Sequence, residues 1–324
     1  MLASDYILIN ISLLSCSPSL TNLTGALEYK LSFLPLISNS TGLKDHRISA
    51  QQKALDVSSN SIDTPAMFWK KKKKNKPQES KIILGMVMLN DEHPFDVASF
   101  IDDFHRHYGL SIHEPTGGNA SFVFKVDGEM TAIAHMAIPI PSGDIEGTAQ
   151  YAYNWQTALA DVKDHRSHLI VSLMQGVQGQ VTRFKIFTKV LCSLLRTTNA
   201  IGIYKGNQSL MIPKDDYLSE AELMGDEYLP VNLWIYFGLR STDKGNSAYT
   251  YGLKEFNKIE IEVVNSSRSL EDLRSFLFHI AHYVLRHDVT FQEGQTVGGS
   301  QEERISVKYS KGQLVEGDTF KLAY

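Results

Sequence analysis

Cysteine is nearly missing from this chain: its 324 residues hold two, Cys16 and Cys192. A disulfide framework is thereby excluded, and a reducing, cytoplasmic setting is expected. Cys192 falls inside an apolar helical pattern, which marks it as a small buried hydrophobe and not a nucleophile. A basic excess is missing too. The formal net charge is -4 and the pI about 6.3, so no specific nucleic-acid partner is expected. No apolar run reaches the roughly 20 residues of a membrane-crossing helix, and no transmembrane segment is expected. The G-x-S-x-G elbow, His-Glu-x-x-His, the P-loop lysine and G-x-G-x-x-G are all absent. These gaps leave no motif that implies a cofactor or a metal, and none is expected.

What is present is core material. Hydrophobic residues make up 43% and aromatics 10% of the chain, enough for a sizeable folded body and too much for a disordered one. Residues 1–66 stand apart, rich in Ser, Asn and Leu without a sustained period. Tyr6–Leu14 is a short apolar run before Leu14-Ser15-Cys16, but its flank carries Asp5 and no Lys or Arg, unlike a secretory signal. The segment is expected to be poorly ordered and to lie outside the working protein, with Met67 as the start. Residues 67–80 then form a basic tail, Met67-Phe68-Trp69 followed by Lys70–Lys74 and Lys76. A solvated tail is the expectation for such a like-charge run, with contact between Lys70–Lys76 and an anionic surface the weaker alternative.

Regular patterning begins at Ile82. Ile82–Leu89 reads as a buried strand. Pro94 opens a helix with Val97, Phe100, Ile101, Phe104 and Tyr108 on one face, ended by Gly109. Ser121–Val126 and Met130–Ile138 flank an Asp127-Gly128 hairpin turn. Asp144 is the expected N-cap of a helix running to Val162, and His168–Met174 is another buried strand. The order strand, helix, strand, strand, helix, strand is the ferredoxin-like βαββαβ signature.

The second half repeats the theme loosely. A helix carries Val181, Phe184, Phe187, Leu191 and Leu195. Strands are expected at Ala200–Tyr204, Val231–Leu239, Tyr249–Leu253 and Arg304–Tyr309, and a short helix over Asp215–Met224. Lys258–Val264 alternates, with Ile259, Ile261 and Val263 inward and Lys258, Glu260 and Glu262 outward as an exposed ladder. Ser269 and Asp272 approximate a capping box. The expected fold is α+β: a mixed sheet flanked by helices, with two loosely repeated βαββαβ halves, about 81–175 and 176–324, in one compact unit.

The stretch from Tyr249 on resembles a bacterial family of unknown function, domain-of-unknown-function family 4261. The residues that carry the likeness are Tyr251-Gly252-Leu253, Phe256-Asn257-Lys258-Ile259-Glu260-Ile261-Glu262, Gly294-Gln295-Thr296-Val297-Gly298 and Gly317-Asp318-Thr319-Phe320-Lys321-Leu322. Pro139-Ile140-Pro141, the helix with Trp155 and the His168 strand are similar to longer members. Asn257 stands where a glycine is usual, and Asn tolerates a left-handed turn. The resemblance implies a bacterial intracellular protein starting near Met67 and supplies no activity, cofactor or catalytic residue.

Candidate chemistry is sparse. His105 and His107 are two apart on a helix, which sends them to different faces. The Gly176-Val177-Gln178-Gly179 loop could hold a phosphate on its amides, but a tight strand-to-helix turn accounts for the glycines. His165 is placed to meet carbonyls at a helix end. The most suggestive group is His135, Asp144, Glu146, Trp155 and His168, with Tyr151 and Tyr153 nearby. It could line a ligand cleft, whereas core packing explains Tyr151 and Trp155 equally well. The leading expectation is a non-enzymatic binding or protein-interaction module with a protein partner. The alternative is an enzyme or small-molecule binder with a cleft near His135, Asp144, Glu146 and His168. That alternative requires His135 and His168 to share a face.

Overall fold

The computed structural model describes residues 82–174, 176–298 and 304–324; residues 1–66, the Lys70–Lys76 run and Cys16 lie outside them. Chain order sets out strand β1 (Ile83–Leu89), helix α1 (Val97–Tyr108) and strands β2 (His113–Gly118), β3 (Ser121–Val126) and β4 (Glu129–Met136). Next come helices α2 (Ser142–Ala149) and α3 (Ala158–Val162), strand β5 (Ser167–Leu173), helix α4 (Gln180–Thr197) and strands β6 (Ala200–Lys205) and β7 (Leu210–Pro213). Helix α5 (Lys214–Glu222) leads to β8 (Tyr236–Thr242), β9 (Gly245–Tyr251), β10 (Ile261–Ser266), helix α6 (Leu270–Arg286), β11 (Thr296–Val297), β12 (Ile305–Lys311) and β13 (Asp318–Leu322). No helix among the described residues is long and apolar enough to cross a membrane.

Locally coded features fall where the residues place them. Asp96 caps α1 by accepting from the Ser99 amide at 2.7 Å. Gly109 ends it at φ 62, its amide donating to the His105 carbonyl. The Phe100 and Phe104 stripe is fully buried, and Asp102 pairs with Arg106 one turn on. Ser269 caps α6 through the Asp272 amide at 3.0 Å. Asn257 takes up the left-handed conformation at φ 59.

The strands form two sheets, ordered β2-β3-β4-β5-β1-β6-β7 and β11-β12-β13-β10-β9-β8. Every pairing in the first is antiparallel; in the second, β10 and β13 run parallel. The ferredoxin-like expectation does not survive this order. That arrangement needs β1 between β4 and β5, whereas here β5 lies between β4 and β1. Nor does the division into halves at residue 176 match the sheets. β6 pairs with β1 from Met86↔Tyr204 to Leu89↔Ala200 and β7 pairs with β6, so two strands from beyond residue 176 complete the first sheet. Long-range pairing decides strand order, and hydrophobic period carries no information about it.

Other departures have local causes. The single helix expected from Asp144 to Val162 is two, with Pro141 and not Asp144 at the first N-cap. Between them Tyr151 and Tyr153 reach the Tyr236 ring at 6.1 and 6.0 Å, while Trp155 turns into the core. The aromatics therefore point to two destinations, and a continuous helix cannot serve both. Residues 231–233 form a 3-10 turn after Pro230, so the strand expected from Val231 begins at Tyr236.

One core cluster runs through both sheets. Phe184 and Phe187 of α4 lie against one face of the first sheet, and Phe184 meets Phe256 at 4.3 Å and Trp234 at 5.7 Å, both from 3-10 turns that adjoin strands of the second. Burying each such ring contributes about 1.5–3 kcal/mol, so this seam couples the sheets. A smaller cluster sits on the opposite face of the first sheet. There Met88 and Tyr204 are covered by Ile140, Ile145, Trp155 and Val162.

Candidate functional site

The turn from Pro139 to Pro141 crosses the end of the first sheet before α2. Its shape is held by His165, whose Nε2 accepts from the Ile140 amide at 2.8 Å while its Nδ1–H donates to the Val162 carbonyl at 2.6 Å. Those two bonds define a neutral imidazole with the proton on Nδ1. His165 thus meets a helix-end carbonyl, as its position implies, and also pins the proline turn. Beside the turn opens a cleft of about 280 Å³, lined mainly by Pro139, Ile140, Ile145, Leu159 and Val162, with Glu146 and Lys163 adding charge.

The structure does not bring the five candidate residues together. Glu146 lines the cleft, and Asp144, in the first turn of α2, is exposed. Trp155 is buried beneath the helices, its Nε1–H donating to Asp161 at 2.7 Å. With the Thr157 hydroxyl, this bond holds the Asp161 carboxyl below its ordinary value. His168 pairs with Met136 and with Met88, so it faces the smaller cluster. His135 pairs with Leu169 one step along, and consecutive strand residues face opposite ways. His135 therefore lies on the other face of the sheet from His168. Burial lowers the pKa of each, which keeps both neutral near pH 7.

His135 has a partner that sequence did not suggest. Its Nε2 lies 3.2 Å from the Ser167 hydroxyl, which in turn donates to the Asp91 carbonyl at 2.6 Å. A carbonyl can only accept, so the serine proton is spent there and His135 is the donor to Ser167. A nucleophile–base pair needs the reverse polarity, with the hydroxyl proton aimed at the imidazole. Ser167 is also fully buried. The pair ties β4 and β5 to the loop after β1.

Three carboxylates are the larger surprise. Glu129, Glu260 and Glu262 are at most 1% exposed. Glu129 accepts from Arg183 Nε at 2.7 Å and from the Gln178 amide at 2.9 Å. Arg183 is satisfied further by Gln180 Oε1 and by the Leu173 and Met174 carbonyls. The glycine loop before α4 thus holds an anion, but an internal one. A Cβ built on Gly176 would lie 1.8 Å from the Glu129 carboxylate. Gly176→Ala is accordingly expected to lower stability by about 1–3 kcal/mol, read as a lower urea midpoint with an unchanged slope.

Glu260 and Glu262 correct the exposed-ladder reading of this strand. Glu260 accepts from the Thr250 hydroxyl at 2.7 Å and from the Gly252 and Lys254 amides at 2.9 and 3.1 Å. Glu262 accepts from the amides of Gln313, Leu314 and Val315 at 2.8–3.1 Å, from Thr319, and from Lys321 at 3.3 Å. Each glutamate closes a turn over the face expected to meet solvent. Burial raises the Glu260 pKa, and its amide donors offset only part of that. Burial acts on Glu262 as well, but the amides of Leu314, Gln313 and Val315 outweigh it and leave its pKa below 4.5. Among the described residues, no group of three or more His, Cys, Asp or Glu is placed to hold a metal ion.

Two sheets with helices between and around them define a mixed α/β protein. Residues 249–323, from the end of β9 through β13, match the family described as Domain of unknown function (DUF4261). Glu260, Glu262 and the two turns they close all lie in that stretch, which is where the residues themselves carry the likeness most strongly. No curated protein and no solved structure matches the chain.

Proposed function

We propose that the chain is a non-enzymatic binding module that takes a protein partner at the proline-turn cleft. The observation that carries this reading is the cleft's make-up. It is an apolar hollow whose wall includes Leu159, 47% exposed, with Glu146 and Lys163 the charged side chains in it. Its volume of about 280 Å³ is just below the ~300–1,000 Å³ of small-molecule sites and suits one large apolar side chain. A neighbouring basic residue on the partner would face Glu146. The histidine and serine groups that could suggest catalysis are engaged in holding β4, β5 and the proline turn, which supports binding over chemistry.

The test is affinity capture of the full chain from its native host beside a Leu159→Glu variant. Seating an apolar side chain contributes about 1.5–3 kcal/mol, so recovery of a stoichiometric partner should fall roughly 10- to 100-fold in the variant. The variant's thermal unfolding should be unchanged, because Leu159 is half exposed. A co-purifying small molecule, or equal recovery of the protein by both chains, would overturn the proposal.

A further inference from the structure

The joint between the two sheets contains a group that the reading above does not use. Lys205, the last residue of β6, is 2% exposed. Its stem lies along β1, where a Cβ on Gly85 would sit 3.4 Å from Lys205 Cγ. Its amine lies over the rings of Phe184 and Phe187, 5.0 and 5.9 Å from their centres. The hydrogen-bond acceptor it reaches is the Leu233 carbonyl, at 3.4 Å. Leu233 belongs to the 3-10 turn that leads into β8, so this contact spans the seam. Nearby, Gln208 packs against Gly252, and its buried Oε1 has no hydrogen-bond partner.

An ammonium carries three donors and is strongly hydrated. One long bond leaves two of an ammonium's donors without an acceptor in a dry site, and the two ring faces offset only part of that cost. Charged neighbours offer little compensation. β1, β7 and residues 231–235 contain no ionisable side chain. On α4 the charges beside Phe184 are Arg183, which is spent on Glu129, and Lys185, which turns to the Gly225 carbonyl and Asp226. Glu255, from the turn before Phe256, is the anion that faces Lys205. Burial, with only partial relief from Glu255, lowers the amine's pKa to about 7.

We infer that Lys205 is a protonation-controlled latch: its neutral amine closes the seam on Leu233, and proton uptake opens the 231–235 and 253–256 segments from β6 and α4. Opening admits water to the ammonium, which supplies the acceptors that the closed seam lacks. One proton is taken from solvent on opening and returned on closing. The segment matched to the family begins on the far side of this joint, so its attachment to the first sheet becomes pH-dependent.

Hydrogen exchange on the full chain at pH 6.0 and 8.5, corrected for intrinsic rates, tests the latch. Amides in 203–210, 231–237 and 252–257 should be roughly 30-fold less protected at pH 6.0, because closing releases one proton and the closing equilibrium weakens about tenfold per unit from pH 8.5 down to the closed-state value of about 7. Amides of β3 and β4 should not change. Lys205→Met should remain protected at both pH values. Lys205→Arg, charged throughout, should be less protected at both. A pH response that persists in Lys205→Met, or equal protection of the wild type at both pH values, overturns the inference. The wild-type comparison alone decides if the methionine variant fails to fold.

Discussion

Replacing Arg183 by Met will cost about 3–5 kcal/mol of stability, because it leaves the Glu129 carboxylate buried without its cation. Both side chains are fully buried, and their 2.7 Å contact joins α4 to β4 across 54 residues of chain. Glu129→Gln should cost less. The amide keeps an acceptor for the Gln178 amide and leaves Arg183 its bonds to Gln180, Leu173 and Met174. The double replacement Glu129→Leu with Arg183→Met should regain most of the loss, since a buried ion pair contributes little net energy over apolar groups of similar shape. Urea midpoints of the wild type, the variants above and Glu129→Leu alone, which closes the double-mutant cycle, measure the coupling. If Arg183→Met shifts the midpoint by less than the equivalent of about 1 kcal/mol, the pair is not fixed in the core as described.

Glu262→Ala is the second change expected to be severe. It removes the acceptor of the Gln313, Leu314 and Val315 amides in a half-exposed turn and takes one partner each from Lys321 and Thr319. An unsatisfied amide costs about 1–3 kcal/mol where it stays dry, and water reaching the half-exposed turn will recover part of it, so a net loss of roughly 2–4 kcal/mol is expected. The pH dependence has a definite sign. The folded Glu262 pKa is below its ordinary value of 4.5, so its contribution is complete above that value. It is lost as pH falls through the folded value. Glu260 acts oppositely. Its folded pKa is raised, so between 4.5 and the raised value stability falls as pH rises. Stability titrations from pH 2 to 8 should therefore lose their acid-side decline partly in Glu262→Gln and deepen it in Glu260→Gln. The same change of slope in both variants would contradict the assignment.

What was legible in the residues was what neighbours in sequence determine. The Ser269 cap, the Phe100–Phe104 stripe, the Gly109 stop and the Asn257 turn are set within a few positions of one another, and each falls in place. Strand β2 was not legible, because His-Glu-Pro-Thr-Gly-Gly has no alternation and all six residues are exposed. The order of β4, β5 and β1 depends on pairings between Ile83–Leu89 and Ser167–Leu173, far beyond any local signal. The candidate site failed for a related reason. His135 and His168 could be judged as a pair only from the register Met136↔His168, and that register sets them back to back. Glu260 and Glu262 show a further limit. Alternation identified two faces of the strand correctly but could not say that the polar face is roofed by backbone amides.

That roof bears on what the matched family segment is. Gly252, Glu260, Glu262, Gly317, Thr319 and Lys321 all take part in closing or shaping the two turns. On this account the motif-like residues of 249–323 are constraints on folding, and the surface we propose for recognition, the proline-turn cleft, lies elsewhere.

The most direct measurement is the exchange of the Gln313, Leu314 and Val315 amides in the unaltered chain at neutral pH. These amides lie in a turn outside any strand or helix, where free exchange is the ordinary expectation. With the Glu262 carboxylate as their acceptor, all three should be slowed on the order of 100-fold or more and should exchange together. Exchange at the rates of an unstructured chain would show that Glu262 does not hold the turn, and the assignment of these buried carboxylates to the fold would be wrong.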